Sequence, residues 1–320
     1  MKSLWTGLIC LMGFMPLAHG KTDAFPSKPI RIVVPFTPGS SADRASRYFG
    51  ERMGALLNTS FIVENRPGAA GVIAINEVEQ APADGYTILL ASNSTMSVNP
   101  WVLKSVPRNP AEKLRPIGGI SRGVNMLVVG SDSPFKTLQQ LIAEGKKKEE
   151  GLNGGTYSAG YRLGVEWLAA IAGFKFTNIA YKGASQLLAD TAGGQLAFAV
   201  LSMDGAAPLV KAGRIRALAI SDASRSAEFP DVPTIKESGY PEYVNYSWDS
   251  FYLRADTPDA VVDKLSTALQ TVLATKEAQA FIEKAGRQVM AYTPSQMQVY
   301  QREELERFGA IAKAAGISPE

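Results

Sequence analysis

The sequence predicts an α/β fold in two lobes. Apolar runs of strand length alternate with stretches of helical apolar spacing from residue 30 to the C-terminus, the order that lays helices over a sheet. The 320 residues, 46% of them hydrophobic, suffice for two cores at roughly 100–200 residues per domain. Small polar residues gather where predicted strands run into predicted helices, twice in each half of the chain. Two sets of strand ends facing one another make a cleft between lobes.

Taken in order, Ile30-Arg31-Ile32-Val33-Val34 reads as a buried strand, closed by Pro35 and the turn residues Thr37-Pro38-Gly39-Ser40-Ser41. The helix after it sets Ala45, Phe49, Met53 and Leu56 on one face. Phe61-Ile62-Val63 is the next strand and ends at Asn65-Arg66-Pro67-Gly68. Residues 69–80 carry a fainter helical spacing, and Pro82-Ala83-Asp84-Gly85 turns the chain into a strand over 86–91. Segment 92–125, rich in Asn, Pro and Gly, is expected to be connecting structure, with a strand following at 126–129. The charge run Lys146-Lys147-Lys148-Glu149-Glu150 suits a solvated helix end or loop. Strands are expected at 155–158, Phe176–Ala180, 196–201 and Ile215–Ile220, and helices around 162–172, 185–192 and 205–212, the last stopped by Gly213. A strand at 250–253 precedes Thr257-Pro258-Asp259, read as the cap of a helix through Val261, Val262, Leu265, Leu269 and Val272. Thr293-Pro294-Ser295-Gln296 is a capping box that opens a final helix through Met297, Leu305, Phe308 and Ile311.

The N-terminus carries a different signal. Met1-Lys2-Ser3, an apolar run over 4–17 and the exit Ala18-His19-Gly20 make a secretory signal peptide over 1–20. The run falls short of the ~20 apolar residues a membrane span needs, and Cys10 lies inside it, a poor fit to a lipid-modified cysteine at a cleavage junction. The whole chain has 33 Lys and Arg, 30 Asp and Glu, one Cys and one His. Cleavage after Gly20 removes Lys2, Cys10 and His19, leaving 32 basic and 30 acidic residues with neither cysteine nor histidine. Disulfides, thiolate nucleophiles, Ser-His-Asp triads and zinc sites built on His or Cys are thereby excluded. A net charge this close to zero argues against nucleic acid as a partner. A Ser-Lys pair or two carboxylates remain as routes to a hydrolase, but the inventory suits a binding protein, with no catalytic residue, metal or cofactor expected.

Four turns are candidates for a binding site. The first, Pro35-Phe36-Thr37-Pro38-Gly39-Ser40-Ser41-Ala42-Asp43-Arg44, joins a strand to a helix whose unpaired N–H groups suit an anion. Its alternative reading is a helix cap in which Ser40 and Asp43 form the box. The second is Ser92, Asn93 and Ser94 at the end of the strand 86–91. The third, Thr156-Tyr157-Ser158-Ala159-Gly160-Tyr161-Arg162, resembles the first in design and adds Arg162, whose planar fork grips a carboxylate or else forms a surface salt bridge. The fourth is Lys182-Gly183 after Phe176–Ala180. Asp204 is expected to face the cleft, where it would favour an ammonium group, and Asp43 to organise its turn, meet a ligand amine or cap the helix. Trp101, Trp167 and Trp248 read as core or cleft wall.

Several pieces in this order resemble the substrate-binding proteins of tripartite tricarboxylate transporters, the Bug receptors. They are Pro26-Ser27-Lys28-Pro29-Ile30-Arg31-Ile32-Val33-Val34-Pro35-Phe36, Pro38-Gly39 with Asp43, Glu64-Asn65-Arg66-Pro67-Gly68-Ala69, Asp84-Gly85-Tyr86-Thr87, Tyr181-Lys182-Gly183, Lys211-Ala212-Gly213-Arg214-Ile215-Arg216-Ala217-Leu218-Ala219 and Pro230-Asp231-Val232-Pro233-Thr234. The resemblance implies a two-lobed periplasmic-binding-protein fold, type II-like, with a ligand cleft between the lobes. It implies a first lobe of 21–124 and 247–320 and a second of 125–246. It also implies a monomeric periplasmic receptor that hands a small carboxylate (a dicarboxylate, an aromatic acid or an acidic amino acid) to a permease of one large and one small subunit. The ligand would be held by the turn 36–43 through main-chain amides and ordered water, and by 92–94, 158–162 and 182–183. Two departures stand out: Ser40 replaces a usual second glycine, and Arg162 stands where a His is common, which would favour a second carboxylate on the ligand. A receptor feeding a sensor kinase, or an exported hydrolase, is the alternative.

Overall fold

The computed structural model describes residues 25–107 and 109–319; the predicted signal peptide, with Cys10 and His19, lies outside them. Along the chain run β1 (Ile30–Val34), α1 (Ser41–Leu57), β2 (Phe61–Asn65), α2 (Val72–Gln80), β3 (Thr87–Ser92) and α3 (Asn99–Val102), the last continuing a wide helical turn over Ser94–Val98. There follow β4 (Leu114–Gly130), α4 (Leu138–Lys147), β5 (Leu152–Thr156), α5 (Ala159–Ala172), β6 (Phe176–Ala180), α6 (Ala184–Ala192), β7 (Phe198–Ser202), α7 (Met203–Lys211) and β8 (Ile215–Ile220). The chain ends with β9 (Tyr246–Arg254), α8 (Asp259–Leu273), α9 (Lys276–Lys284), β10 (Arg287–Val289) and α10 (Pro294–Ala314).

One strand serves two sheets. β4 has 17 residues, beyond the usual ~3–10. Its first part pairs antiparallel with β9 as far as Val124↔Tyr246. From Asn125 onward it pairs instead with β7 and β8. The first sheet is completed by β3, β1 and β2, with β1 parallel to both its neighbours, and by β10 against β4. The second is completed by β5 and β6, parallel to one another. Two α/β lobes joined by crossing strands result.

The inner strands of each sheet are buried on both faces, as strands under helices on either side must be, while the edge strands β2 and β6 are partly exposed. In β1, Ile30, Ile32 and Val34 pack with Phe49, Met53, Leu265 and Leu269, while Val33 turns to Val78, Trp248 and Met297. In β4, Leu127 and Val129 face Leu141, Leu168 and Phe198, while Met126 and Val128 face Leu187, Leu201 and Ile215. A smaller cluster of Val98, Leu163, Phe308, Ile311 and Ala312 ties α5 to α10 and to the turn before α3.

The expectation of connecting structure over 92–125 fails. Residues 114–125 are the larger part of β4, and Ser94–Val102 is helical. Pro116, Gly118 and Gly119 disguise the strand because it shifts register twice there, between Pro116 and Gly118 and between Gly119 and Ser121. The glycines are needed for close approach: Gly119 N–H donates to the Tyr292 carbonyl at 2.9 Å, and a Cβ on Gly118 would stand 2.8 Å from that oxygen. The cap expected at Thr257-Pro258-Asp259 also differs. Pro258 precedes α8 with no side-chain cap, and Asp259 in the first turn instead accepts from Arg115 at 2.7 Å. Thr293 and Gln296 do form the capping box of α10. Helices α4 and α9 and strand β10 are absent from the sequence expectation, although Thr137 and Thr275 cap the two helices.

Candidate functional site

The C-terminal ends of β1 and β3 meet those of β5 and β7 around a small chamber of about 40 Å³. Phe36, Ser40, Ser41, Ser92, Asn93 and Ser94 come to it from the first sheet's strand ends, and Ser158 and Tyr161 from the second's. Two further cavities, of about 440 and 200 Å³, adjoin it and share Phe36 and Tyr157 with it. Thr37 and Lys182 border both of these, and Gly39, Gly183 and Asp204 border the smaller. A larger open groove, about 1140 Å³, lies by the last residue of β4 and the first of β5, at the other end of the second sheet, and holds none of these residues.

The turn before α1 is tied to itself. Ser40 caps the helix, its hydroxyl accepting from Asp43 N–H at 3.2 Å. Asp43, 3% exposed, accepts from Gly39 N–H at 2.9 Å, from Arg47 Nε at 3.2 Å and from Asn65 Nδ2 at 3.0 Å. Burial by itself would raise this carboxyl, but those donors outweigh it and hold the pKa below the usual carboxylate value. Asp43 is thus consumed by its turn and stands outside the chamber. Gly39 adopts φ +81°, a conformation that suits glycine. The first N–H groups of a helix have no intrahelical partner, and Ser41 and Ala42, which carry those of α1, both line the chamber.

The turn before α5 is tied to the opposite lobe. Ser158 caps α5, accepting from Tyr161 N–H at 3.4 Å. Ser94 Oγ donates to Ser158 Oγ at 3.2 Å and accepts from Gly160 N–H at 3.1 Å. Arg44 spans the cleft as well, bonding the Gly39 carbonyl at 2.6 Å and Asp204 in the first turn of α7 at 3.0 Å. Thr37 and Gly183 touch closely enough that a Cβ on Gly183 would lie 2.9 Å from the threonine hydroxyl. The lobes are closed on one another. Arg162 runs along α5 toward Glu166, Nε to Oε1 3.6 Å, and does not border the chamber or its two neighbours.

Residues outside the expected ligand-binding set, among them Trp248, read as core or cleft wall, form the rest of the wall. Tyr157, Ser202, Ser247, Trp248, Asp249 and Arg287 all line the chamber. Tyr157 donates to Tyr161 across 3.3 Å, and burial holds both phenols above their ordinary pKa. Arg287 Nη2 and Asp249 Oδ2 form a buried ion pair at 2.8 Å. Burial raises the Asp249 carboxyl and the Asp204 charge adds to the rise, against the pull of Arg287. Trp248 is fully buried and its Nε1 has no hydrogen-bond partner among the described residues. Trp101 bonds the Leu305 carbonyl at 2.7 Å, and Trp167 stacks on Tyr243 with ring centroids 4.4 Å apart. Tyr157 lay inside the third turn and was readable there. Asp249 opens no motif, and Arg287 sits on β10, which has no readable pattern.

Residues 46–317 match the family model of the tripartite tricarboxylate transporter family receptor. The chain belongs to that receptor family. The receptor is 34% identical over 319 residues to a UPF0065 protein of Bordetella bronchiseptica, across 99% of this chain and 94% of that one. It is 29% identical over 320 residues to Protein BugT of Bordetella pertussis, covering 97% and 98% of the two chains. A solved structure of R. palustris Rpa4515 with adipate superposes with a TM-score of 0.87 at 30% identity, over 92% of the receptor and all of that chain. Periplasmic binding protein BugD superposes at 0.85 with 27% identity, over 92% and 100%. Among the described residues no helix is long and apolar enough to cross a membrane.

Proposed function

We propose that this chain is a monomeric periplasmic receptor that closes on a small carboxylate and delivers it to a membrane permease of one large and one small subunit, without chemistry of its own. The observation that carries the reading is the chamber enclosed between the starts of α1 and α5. Unpaired N–H groups and the hydroxyls of Ser40, Ser41 and Ser158 converge there, which suits a carboxylate held by neutral dipoles. Adipate in a structure 30% identical to this chain supports the ligand class. The moving bodies are 25–124 with 247–319, and 125–246, joined where β4 exchanges β9 for β7 and β8. Contacts that cross the cleft, such as Ser94 with Gly160 and Arg44 with Asp204, favour the closed form that a permease would recognise. Phe36, Thr37, Lys182, Gly183 and the loop 92–94 surround the ligand in this reading.

A thermal-shift screen of the mature protein against small carboxylates tests it. Ligand at ~100 times its Kd adds about 2.7 kcal/mol of stability, a rise of several degrees in Tm. A narrow set of hits recovered unchanged in mass supports a receptor. A hit consumed on incubation would move the reading to the Ser-Lys or carboxylate hydrolase, and no hits at all would remove the carboxylate class.

A further inference from the structure

We propose that the chamber floor recognises an ammonium group, with Asp249 as its acceptor, so that the ligand is an amino acid rather than a plain carboxylic acid. The inference deepens the receptor reading and rests on it.

Two aspartates and two arginines meet at the floor, and the two arginines are unequally exposed. Arg287 is 7% exposed and faces two buried carboxylates, Asp249 and Asp204. The other partner of Asp204 is Arg44, whose side chain is 49% exposed and screened by water. Arg287 cannot serve everything around it. Its Nε donates to Ser121 Oγ at 2.9 Å, and its Nη2 divides itself between the Ser121 carbonyl at 3.3 Å and Asp249 Oδ2 at 2.8 Å. Those bonds anchor the guanidinium on β4 as much as on the aspartate. Gly123 leaves room for it, since a Cβ there would lie 2.5 Å from Arg287 Nη1.

Asp249 is left half satisfied. Its side chain is 9% exposed, it lines the chamber, and among the described residues its Oδ1 accepts no hydrogen bond. A carboxylate oxygen that faces the chamber without a protein donor is open to a donor on a ligand; burial and the Asp204 charge also raise the Asp249 pKa. A ligand ammonium fills that place: it donates to Oδ1 and adds a positive charge beside a carboxylate whose arginine is shared with Ser121. A second carboxylate in that place would set like charges together in a dry site. The ligand's own carboxylate goes to the start of α1 and the serine hydroxyls. Its side chain extends toward the adjoining cavities, where the 440 Å³ space admits a sizeable group.

Isothermal titration of the mature wild-type protein against matched pairs decides the matter: L-aspartate and succinate, L-glutamate and glutarate, L-leucine and 4-methylpentanoate, L-phenylalanine and 3-phenylpropanoate. The tightest binder is expected to be an amino acid, exceeding its deaminated partner by about tenfold to a hundredfold. If a deaminated acid binds as well as or better than its amino partner, the ammonium site is overturned while the receptor reading stands. Silence across these pairs and the carboxylate screen removes both. Asp249→Asn should bring the ratio for the best pair close to one. Should that variant not fold, the double variant Asp249→Leu with Arg287→Met removes the pair as a unit, a replacement buried ion pairs often tolerate. A preference that survives in a folded variant would overturn the role of Asp249.

Discussion

Asp43 and Asp249 are both buried aspartates beside an arginine, and the protein uses them in opposite ways. Asp43 has donors on both oxygens: a main-chain N–H, an asparagine amide and the guanidinium of Arg47. Asp249 has one arginine, shared with a serine, and a second acid near enough to disfavour its charge. The first carboxylate is held below its ordinary pKa and the second above it. Burial pushes both the same way, so the number of donors decides the sign. A turn that satisfies its own acid is scaffold, whereas a wall that leaves an acid short of donors is a place for a ligand.

The sharpest way to break this comparison is to remove one partner of the deeper pair. Arg287→Met should cost about 3–5 kcal/mol in urea unfolding, because Asp249 is then buried without a cation, and the double variant Asp249→Leu with Arg287→Met should recover most of it. A single variant as stable as wild type would mean that Asp249 is neutral in the native protein.

Asp43→Asn should cost less, about 1–3 kcal/mol, by weakening the bonds from Arg47 and Gly39. Here the two aspartates also part in pH. The lowered pKa of Asp43 gives stability that is present above the unfolded value of about 3.9 and lost as pH falls through the folded one. The raised pKa of Asp249 gives stability that is complete below about 3.9 and lost as pH rises through its folded value. Unfolding followed between about pH 3 and pH 7 should therefore show Asp43→Asn losing acid sensitivity and Asp249→Asn losing the opposite slope. Matching slopes in the two variants would erase the distinction.

Ser94→Ala removes the hydroxyl between the lobes, breaking the bonds to Ser158 and Gly160. A loss of about 1 kcal/mol is expected, read as a several-fold weaker Kd for whichever ligand the screens supply, since it acts on the closed form. The smallest effect belongs to Arg162→Ala. Arg162 is directed to Glu166 in an i,i+4 pair on a partly exposed helix face, worth no more than about 0.5 kcal/mol. Affinities for mono- and dicarboxylates should change together, by less than about threefold; a selective loss of dicarboxylates would put Arg162 back in the site.

Much of the polar wall was legible because it lies at strand-to-helix junctions, where serine, glycine and asparagine announce themselves locally. Ser40 and Ser158 are helix caps, a role the sequence offered for Ser40 as the alternative to ligand binding. The floor was not legible for a physical reason. Asp249 is one polar residue in a strand otherwise dominated by core positions, and Arg287 sits on three residues of β10. Nothing within a few residues of either marks a site, and they meet only because β9 and β10 both pair with β4.

Local spacing and turn chemistry by themselves determined most of the alternation of strands and helices, the caps of α1 and α10 and the resemblance to the family. Tertiary structure alone decided three things: that 114–130 is a single strand shared by two sheets, that Arg162 turns away along its helix, and that Asp249 and Arg287 share the chamber floor. Hydrophobic period and capping are set over one or two turns of chain. Pairing an acid with a base 38 positions further on depends on strand register, which is settled only when the whole sheet assembles.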